Sequence, residues 1–429
     1  MNRLAEELNS VLRDTIVYEV LSDVGKSMYF PKGIVAQSGE AKRFANRYNA
    51  TVGMAYANGK PMRLKVIERY FNELDAEEIF SYASTSGLPE LRKLWREEML
   101  AKNPSLQGKN FSNPLVVPGL TNGIVNAADL FLGRDDVVVI PDMFWGNYRL
   151  IFEVRKEAKV ATFPFFKPEG GFNVEGFGEA LKSNANNGKV LTILNFPNNP
   201  TGYTPSKAEV ESIVRKLDEL ASSGLKIVAI TDDAYFGLFY EEDTNKESVF
   251  APLADLNRNI LAVKVDGATK ENLVWGFRVG FLTFASKELK NEHYEALEKK
   301  TMGSIRSSVS NSSKIAQSLL IRAMKDPDYA REKEEAFETL KTRYLRVREI
   351  ITSKRSAKIE ALPFNSGYFM TFKVRNGKAE ELRSYLLHER GIGTISINNS
   401  YLRVAYSSID LENLEELYNE IFEAAERVV

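Results

Sequence analysis

Between residues 113 and 284 the chain alternates short apolar runs with amphipathic stretches, and this alternation constrains its fold more than any other feature. Residues 115–117, 137–140, 160–163, 190–194, 227–230 and 260–265 read as strands. Segments of helical period, such as 206–222, lie between several of them. Strands alternating with helices predict an α/β fold with a mostly parallel sheet covered on both faces. Past residue 326 the pattern changes. A highly charged helical run (329–352) leads to short strands near 367–374 and 401–405, and an amphipathic helix closes the chain at 411–427. A chain of 429 residues exceeds one ordinary core, so two domains are expected. The large α/β domain is expected over residues 75–325. Residues 1–74, which lack the alternation, are expected to join residues 326–429 in a smaller α+β domain.

Parallel sheets bind ligands outside the carboxyl ends of their strands, so polar residues directly after a strand are candidates for chemistry. Three successive strands end in such clusters: NFPNNPTG (195–202), TDDAY (231–235) and DGATK (266–270), with Arg278 eight residues beyond Lys270. Taken singly, these are a turn, a helix cap and surface charges. Taken together, they put an amide, a carboxylate, a phenol, an amine and a guanidinium at one crevice.

Other chemistries are narrowed by composition. The absence of cysteine excludes disulfides, thiolate metal sites and cysteine nucleophiles. The two histidines, His293 and His388, read as surface residues, so no metal site is expected. A formal net charge of -1 supplies no basic field for nucleic acid. No G-x-G-x-x-G or Walker loop occurs, which disfavours a nicotinamide dehydrogenase. The opening residues MNRLAEELNS carry no secretory or transit signal, and no run approaches a membrane span. A cytoplasmic enzyme without membrane partners is expected.

The motifs NNPTG, DDAY and K-x7-R-V-G strongly resemble the fold-type-I aminotransferases, the family that includes aspartate aminotransferase. The resemblance runs from about Tyr82 to Arg403. It implies a pyridoxal 5'-phosphate (PLP) enzyme of amino acid metabolism, a homodimer with shared active sites, and amino acid and 2-oxo acid substrates. In that family's terms Lys270 carries the cofactor as a Schiff base and shuttles a proton. Asp232 faces the ring nitrogen and keeps it protonated. Asn199 and Tyr235 bond the phenolic oxygen, and Trp145 stacks on the ring.

The phosphate would meet Arg278, Thr269 and the backbone of Gly119, Leu120 and Thr121 at a helix start. Tyr82 would reach the phosphate of the neighbouring subunit. One departure stands out. The family often has serine three residues before the lysine, where this chain has Gly267.

Arg403 matches the arginine that holds the substrate α-carboxylate, with Asn199 beside it. Arg306, in an R-x4-N pattern, falls where aspartate aminotransferases carry an arginine that binds the distal carboxylate from the opposite subunit. Alternatively, Arg306 lies in a serine-rich hinge and touches no substrate, and the donor is aromatic or aliphatic. Two further readings accompany the transaminase one. The first is a lyase on the same fold, resembling aminocyclopropane carboxylate synthase. The second is a transcription regulator with an aminotransferase-like effector domain, disfavoured because no helix-turn-helix unit precedes Tyr82.

Overall fold

The computed structural model describes residues 1–31 and 33–429. Its centre is a seven-stranded sheet built from β1 (Leu115–Val117), β2 (Val137–Pro141), β3 (Lys159–Phe163), β4 (Lys189–Asn195), β5 (Lys226–Asp232), β6 (Ile260–Asp266) and β7 (Gly280–Ala285). The strand order is β1-β7-β6-β5-β4-β2-β3. β3, β2, β4, β5 and β6 pair in parallel. β2, β4, β5 and β6 are almost wholly buried, as expected for apolar strands with helices on both faces, whereas the edge strand β3 buries only Phe163. Between β4 and β5 the helix Lys207–Ser222 starts at a capping box, in which Ser206 and Glu209 satisfy each other's backbone N–H groups.

The six strands expected from sequence are all present, and β7 is an addition. It pairs antiparallel with both β6 and β1. The connection from β6 to β7 contains one short helical turn, Ala268–Glu271, in place of a crossover helix. The chain therefore reverses beside β6. That same connection carries Lys270 and Arg278, so the reversal aims both at the carboxyl ends of the parallel strands.

The C-terminal sheet is antiparallel. It comprises β8 (Ile359–Ala361), β9 (Phe369–Val374), β10 (Ile395–Ile397) and β11 (Tyr401–Ala405) in the order β8-β9-β11-β10. Helix Leu414–Val428 packs against both Tyr329–Ser353 and Ala379–Arg390, and Ala379–Arg390 packs on β10 and β11. Residues 1–74 do not pack as one block. Helix Ile34–Phe44 lies against the C-terminal sheet, where Gln37 exchanges two hydrogen bonds with the Ser396 backbone. Helix Asp23–Ser27 instead lies near Leu150–Arg155, and Lys65–Arg69 packs on helix Lys314–Met324.

The two sheets meet at the Asn-Pro-Thr-Gly turn after β4. Gly202 has φ 74°, and a Cβ there would lie 2.0 Å from the Phe369 carbonyl oxygen, so only glycine permits this approach. The Gly202 carbonyl accepts from the backbone N–H groups of Asn365 and Ser366, each at 2.9 Å. Thr371 donates to the Pro200 carbonyl at 2.8 Å. These bonds hold the strand end of β4 against β9 and the segment that leads into it. No helix among the described residues is long and apolar enough to cross a membrane.

Candidate active site

A cavity of about 310 Å³ opens at this seam. Its walls include Lys270, Asp232, Tyr235, Asn199 and Trp145 from the large-sheet side and Arg403 from β11. Leu120, Thr121, Thr269 and Arg278 line its other end. Gly119 stands directly behind Arg278. It has φ 81°, and a Cβ there would lie 2.3 Å from Arg278 Nη2. Residues drawn from six separate chain segments are thus brought together. Two remain outside the cavity of their own chain. Tyr82 is 89% exposed, and Arg306 is exposed on helix Asn291–Ser308, donating to Ser310 Oγ at 3.0 Å.

Lys270 sits in the turn after β6, its Nζ 4.9 Å from the centre of the Tyr235 ring. Burial disfavours its ammonium form and takes its pKa down to about 8, with Arg278 acting in the same sense and Asp232 opposing. Asp232 ends β5. Burial pushes its carboxyl up to about 6, against the hydrogen bond from the Tyr148 hydroxyl and the charge of Lys270. The adjacent Asp233, just past the end of β5, is turned to other partners. It pairs with Lys264, which also lies 3.2 Å from Asp266, and it accepts from Ser248 at 2.6 Å. Only the first aspartate of the pair is therefore available to the cavity.

Arg403 is buried (2% exposed) and is braced by two bonds, to Asn199 Oδ1 at 3.0 Å and to the Thr51 carbonyl at 2.8 Å. Its guanidinium carbon lies 4.3 Å from the Phe369 ring centre. Burial lowers its pKa to about 10, and no carboxylate among the described residues pairs with it. A buried, uncompensated guanidinium is a built site for an anion. Burial likewise pushes the Tyr235 phenol upward, so it stays a hydrogen-bond donor.

Three polar atoms around the cavity are buried without any partner in the protein: Thr269 Oγ1, Trp275 Nε1 and Arg403 Nε. Buried donors are ordinarily satisfied. The cavity itself is lined by the cations Lys270, Arg278 and Arg403 and the carboxylate Asp232, a set that suits a ligand bearing anionic groups, and the residues present therefore fit PLP. Gly267 leaves no room for a side chain, because a Cβ would lie 2.7 Å from the Val279 carbonyl oxygen and 2.9 Å from Gly280 Cα.

A second cavity, of about 400 Å³, lies beside the Lys270 turn against helix Tyr329–Ser353. Its charges answer one another. Lys102 and Lys333 overcome the burial of Glu271 and take it down to about 2. Its inner charges, Lys102, Lys333, Glu98 and Glu271, form one ion network, so this cavity lacks the unanswered buried cation of the first.

Tyr148, Thr51 and Trp275 were not singled out from the sequence. For Tyr148 a signal existed, since it closes the Trp145-Gly146-Asn147-Tyr148 segment that also contains the stacking candidate. Thr51 acts through its carbonyl and left no signature in residue type.

A family profile for "Aminotransferase class I and II" matches residues 53–421. The chain belongs to this family. It is an aminotransferase, a PLP-dependent enzyme of the fold already described. An aspartate aminotransferase of Pyrococcus horikoshii is 26% identical over 359 residues, covering 80% of this chain and 83% of that protein. A probable aspartate/prephenate aminotransferase of Aquifex aeolicus is 25% identical over 355 residues, covering 81% and 84%. Among solved structures, an aminotransferase from Anaerococcus prevotii superposes with a TM-score of 0.84 at 23% identity, over 95% of this chain and 99% of that one.

Proposed function

We propose that this chain moves an amino group between an amino acid and a 2-oxo acid with PLP held in the 310 Å³ cavity. The observation that carries the proposal is the pairing, in that one cavity, of a half-buried amine at Lys270 with a buried guanidinium at Arg403 that lacks a carboxylate partner. When bound, PLP supplies an electron sink that lets the substrate α-carbon give up a proton.

The protein's part is to bind, orient and move protons. Arg403 grips the α-carboxylate, with Asn199 and Thr51 fixing its fork. Lys270, with a pKa near 8, is partly neutral at physiological pH, so its Nζ would hold the cofactor and would move the proton at the substrate α-carbon. Asp232, aligned by Tyr148, provides the negative charge beside the cofactor's ring nitrogen. Asn199 and Tyr235 would hold the cofactor's phenolic oxygen, and Trp145 would cover its ring. Arg278, Thr269 and the first backbone N–H groups of helix Leu120–Phe131 serve the phosphate.

Donor preference follows from Arg306. The names of the Pyrococcus and Aquifex relatives support a dicarboxylic donor such as aspartate. In this reading Arg306 enters the site of a second copy of the chain, in a cytoplasmic homodimer. Arg306→Ala should then lower the rate with aspartate by about 10²-fold or more while leaving phenylalanine and alanine unchanged. An equal fall for all donors, or a wild-type preference for a neutral donor, contradicts the dicarboxylate assignment.

The proposal is tested by single-turnover reaction of PLP-loaded protein with amino acids in the absence of any acceptor. One 2-oxo acid should form per subunit, and the cofactor should leave in its amine form. Repeated turnover with no acceptor present would favour the lyase reading instead.

A further inference from the structure

Lys270 rides on a turn too short to hold itself. Ala268–Glu271 is a single helical turn between β6 and the loop that leads to β7. One isolated turn has too few hydrogen bonds of its own to be stable, so tertiary contacts must set its orientation. Three consecutive residues make such contacts, and each reaches the C-terminal part of the chain. The Lys270 carbonyl accepts from the Tyr368 hydroxyl at 3.3 Å. Glu271 Oε1 accepts from Lys333 Nζ at 3.0 Å. Asn272 Nδ2 donates to the Tyr329 hydroxyl at 2.7 Å. Tyr329 and Lys333 belong to helix Tyr329–Ser353, and Tyr368 directly precedes β9.

Glu271 is gripped from a second side as well. Lys102, at the end of helix Pro89–Lys102, meets the same Oε1 at 2.6 Å. Glu98, one turn earlier on that helix, lies 2.6 Å from Lys102 and 3.7 Å from Lys333 and completes the network. The Glu271 side chain is only 14% exposed. Charges enclosed in this way add little stability over apolar residues of similar size, but they constrain geometry. Apolar side chains already line the same wall, among them Phe236, Phe337 and Leu340. The charges that bear on the Lys270 ammonium are those of Asp232 and Arg278, so Glu271 acts on it through the backbone they share.

We infer that Glu271 is a positioning residue for Lys270: held between Lys102 and Lys333, it fixes the turn so that Nζ meets the aldehyde carbon of PLP. The inference rests on the reading that Lys270 carries the cofactor. PLP joins the lysine by forming a C–N bond while its aldehyde oxygen leaves as water with both amine protons. Pyridoxamine phosphate bears an amine in place of the aldehyde, fills the same cavity and cannot join. Glu271→Gln keeps the size of the side chain and removes its charge. Apoprotein carrying it should bind PLP about tenfold or more weakly than wild type, because a displaced amine no longer reaches the carbon. Its affinity for pyridoxamine phosphate should be unchanged. Equal loss of both ligands would make Glu271 a general support of the fold, and no loss of either would show that the turn holds without it; either overturns the inference.

Should Glu271→Gln fail to fold, the double variant Glu271→Gln/Lys333→Met restores the balance of charge, with Lys102 left paired to Glu98. It should show the same selective loss of PLP. Wild-type PLP affinity in the double variant, or an equal loss of pyridoxamine phosphate, overturns the inference. Wild-type protein that takes up PLP without joining it to Lys270 would instead overturn the reading on which it rests.

Discussion

Asp232 illustrates how a functional residue is held against its own preference. Its carboxyl is fully enclosed, and its pKa is raised from 3.8 to about 6, chiefly by burial. A group whose folded pKa lies above its unfolded value binds the extra proton in the folded state. Stability therefore falls as pH rises from about 4 to about 6, and the penalty persists at neutral pH. Asp232→Asn keeps an acceptor for Tyr148 and removes this penalty. The apoprotein of the variant should be more stable than wild type at pH 7.5, by on the order of 1–3 kcal/mol, with the difference vanishing near pH 4. Its transamination rate should fall by about 10²–10³-fold, because the charge beside the ring nitrogen is lost. Thermal melts at the two pH values, with single-turnover rates, check both halves. A variant destabilised equally at both pH values would contradict the burial argument.

Among the elements, the turns at strand ends carry the site, and they were also the most legible part of the chain. NNPTG, DDAY and the Lys270–Arg278 pair could be read because parallel strand ends must converge, so three local motifs implied one place. The contacts that complete the site were hidden by sequence distance. Tyr148 meets Asp232 across 84 residues, and Thr51 meets Arg403 across 352. β7 was hidden for a related reason, since its place beside β6 follows from the shape of the loop that carries Lys270. Gly202 ties the NNPTG turn to β9, with 2.0 Å between its would-be Cβ and the Phe369 carbonyl oxygen. Gly202→Ala should separate the two sheets at this point and destabilise the protein by at least about 2–4 kcal/mol, through steric overlap and the left-handed φ. Denaturant unfolding measures this. A variant with wild-type stability would show that the seam is looser than these contacts require.

At the scale of the molecule, the single chain leaves a set of large apolar side chains in solvent. Val11, Val20, Phe30, Phe80 and Tyr82 are 80%, 72%, 67%, 83% and 89% exposed. Exposed apolar side chains gathered into a patch mark association surfaces, and in the homodimer proposed above these residues are candidates for burial. If Tyr82 serves the site of its neighbour, Tyr82→Ala and Lys270→Ala proteins, each impaired alone, should regain activity when mixed. The Tyr82→Ala subunit keeps its lysine and receives an intact tyrosine from the other chain. No recovery under conditions where subunits demonstrably exchange would contradict the shared site. The claim on which the rest depends is that the cofactor is carried by Lys270. Borohydride reduction of the PLP-loaded protein, followed by peptide mass mapping, tests it most directly. A single pyridoxyl group on Lys270, absent from Lys270→Ala, is the predicted result; a label on another lysine, or none at all, would contradict it.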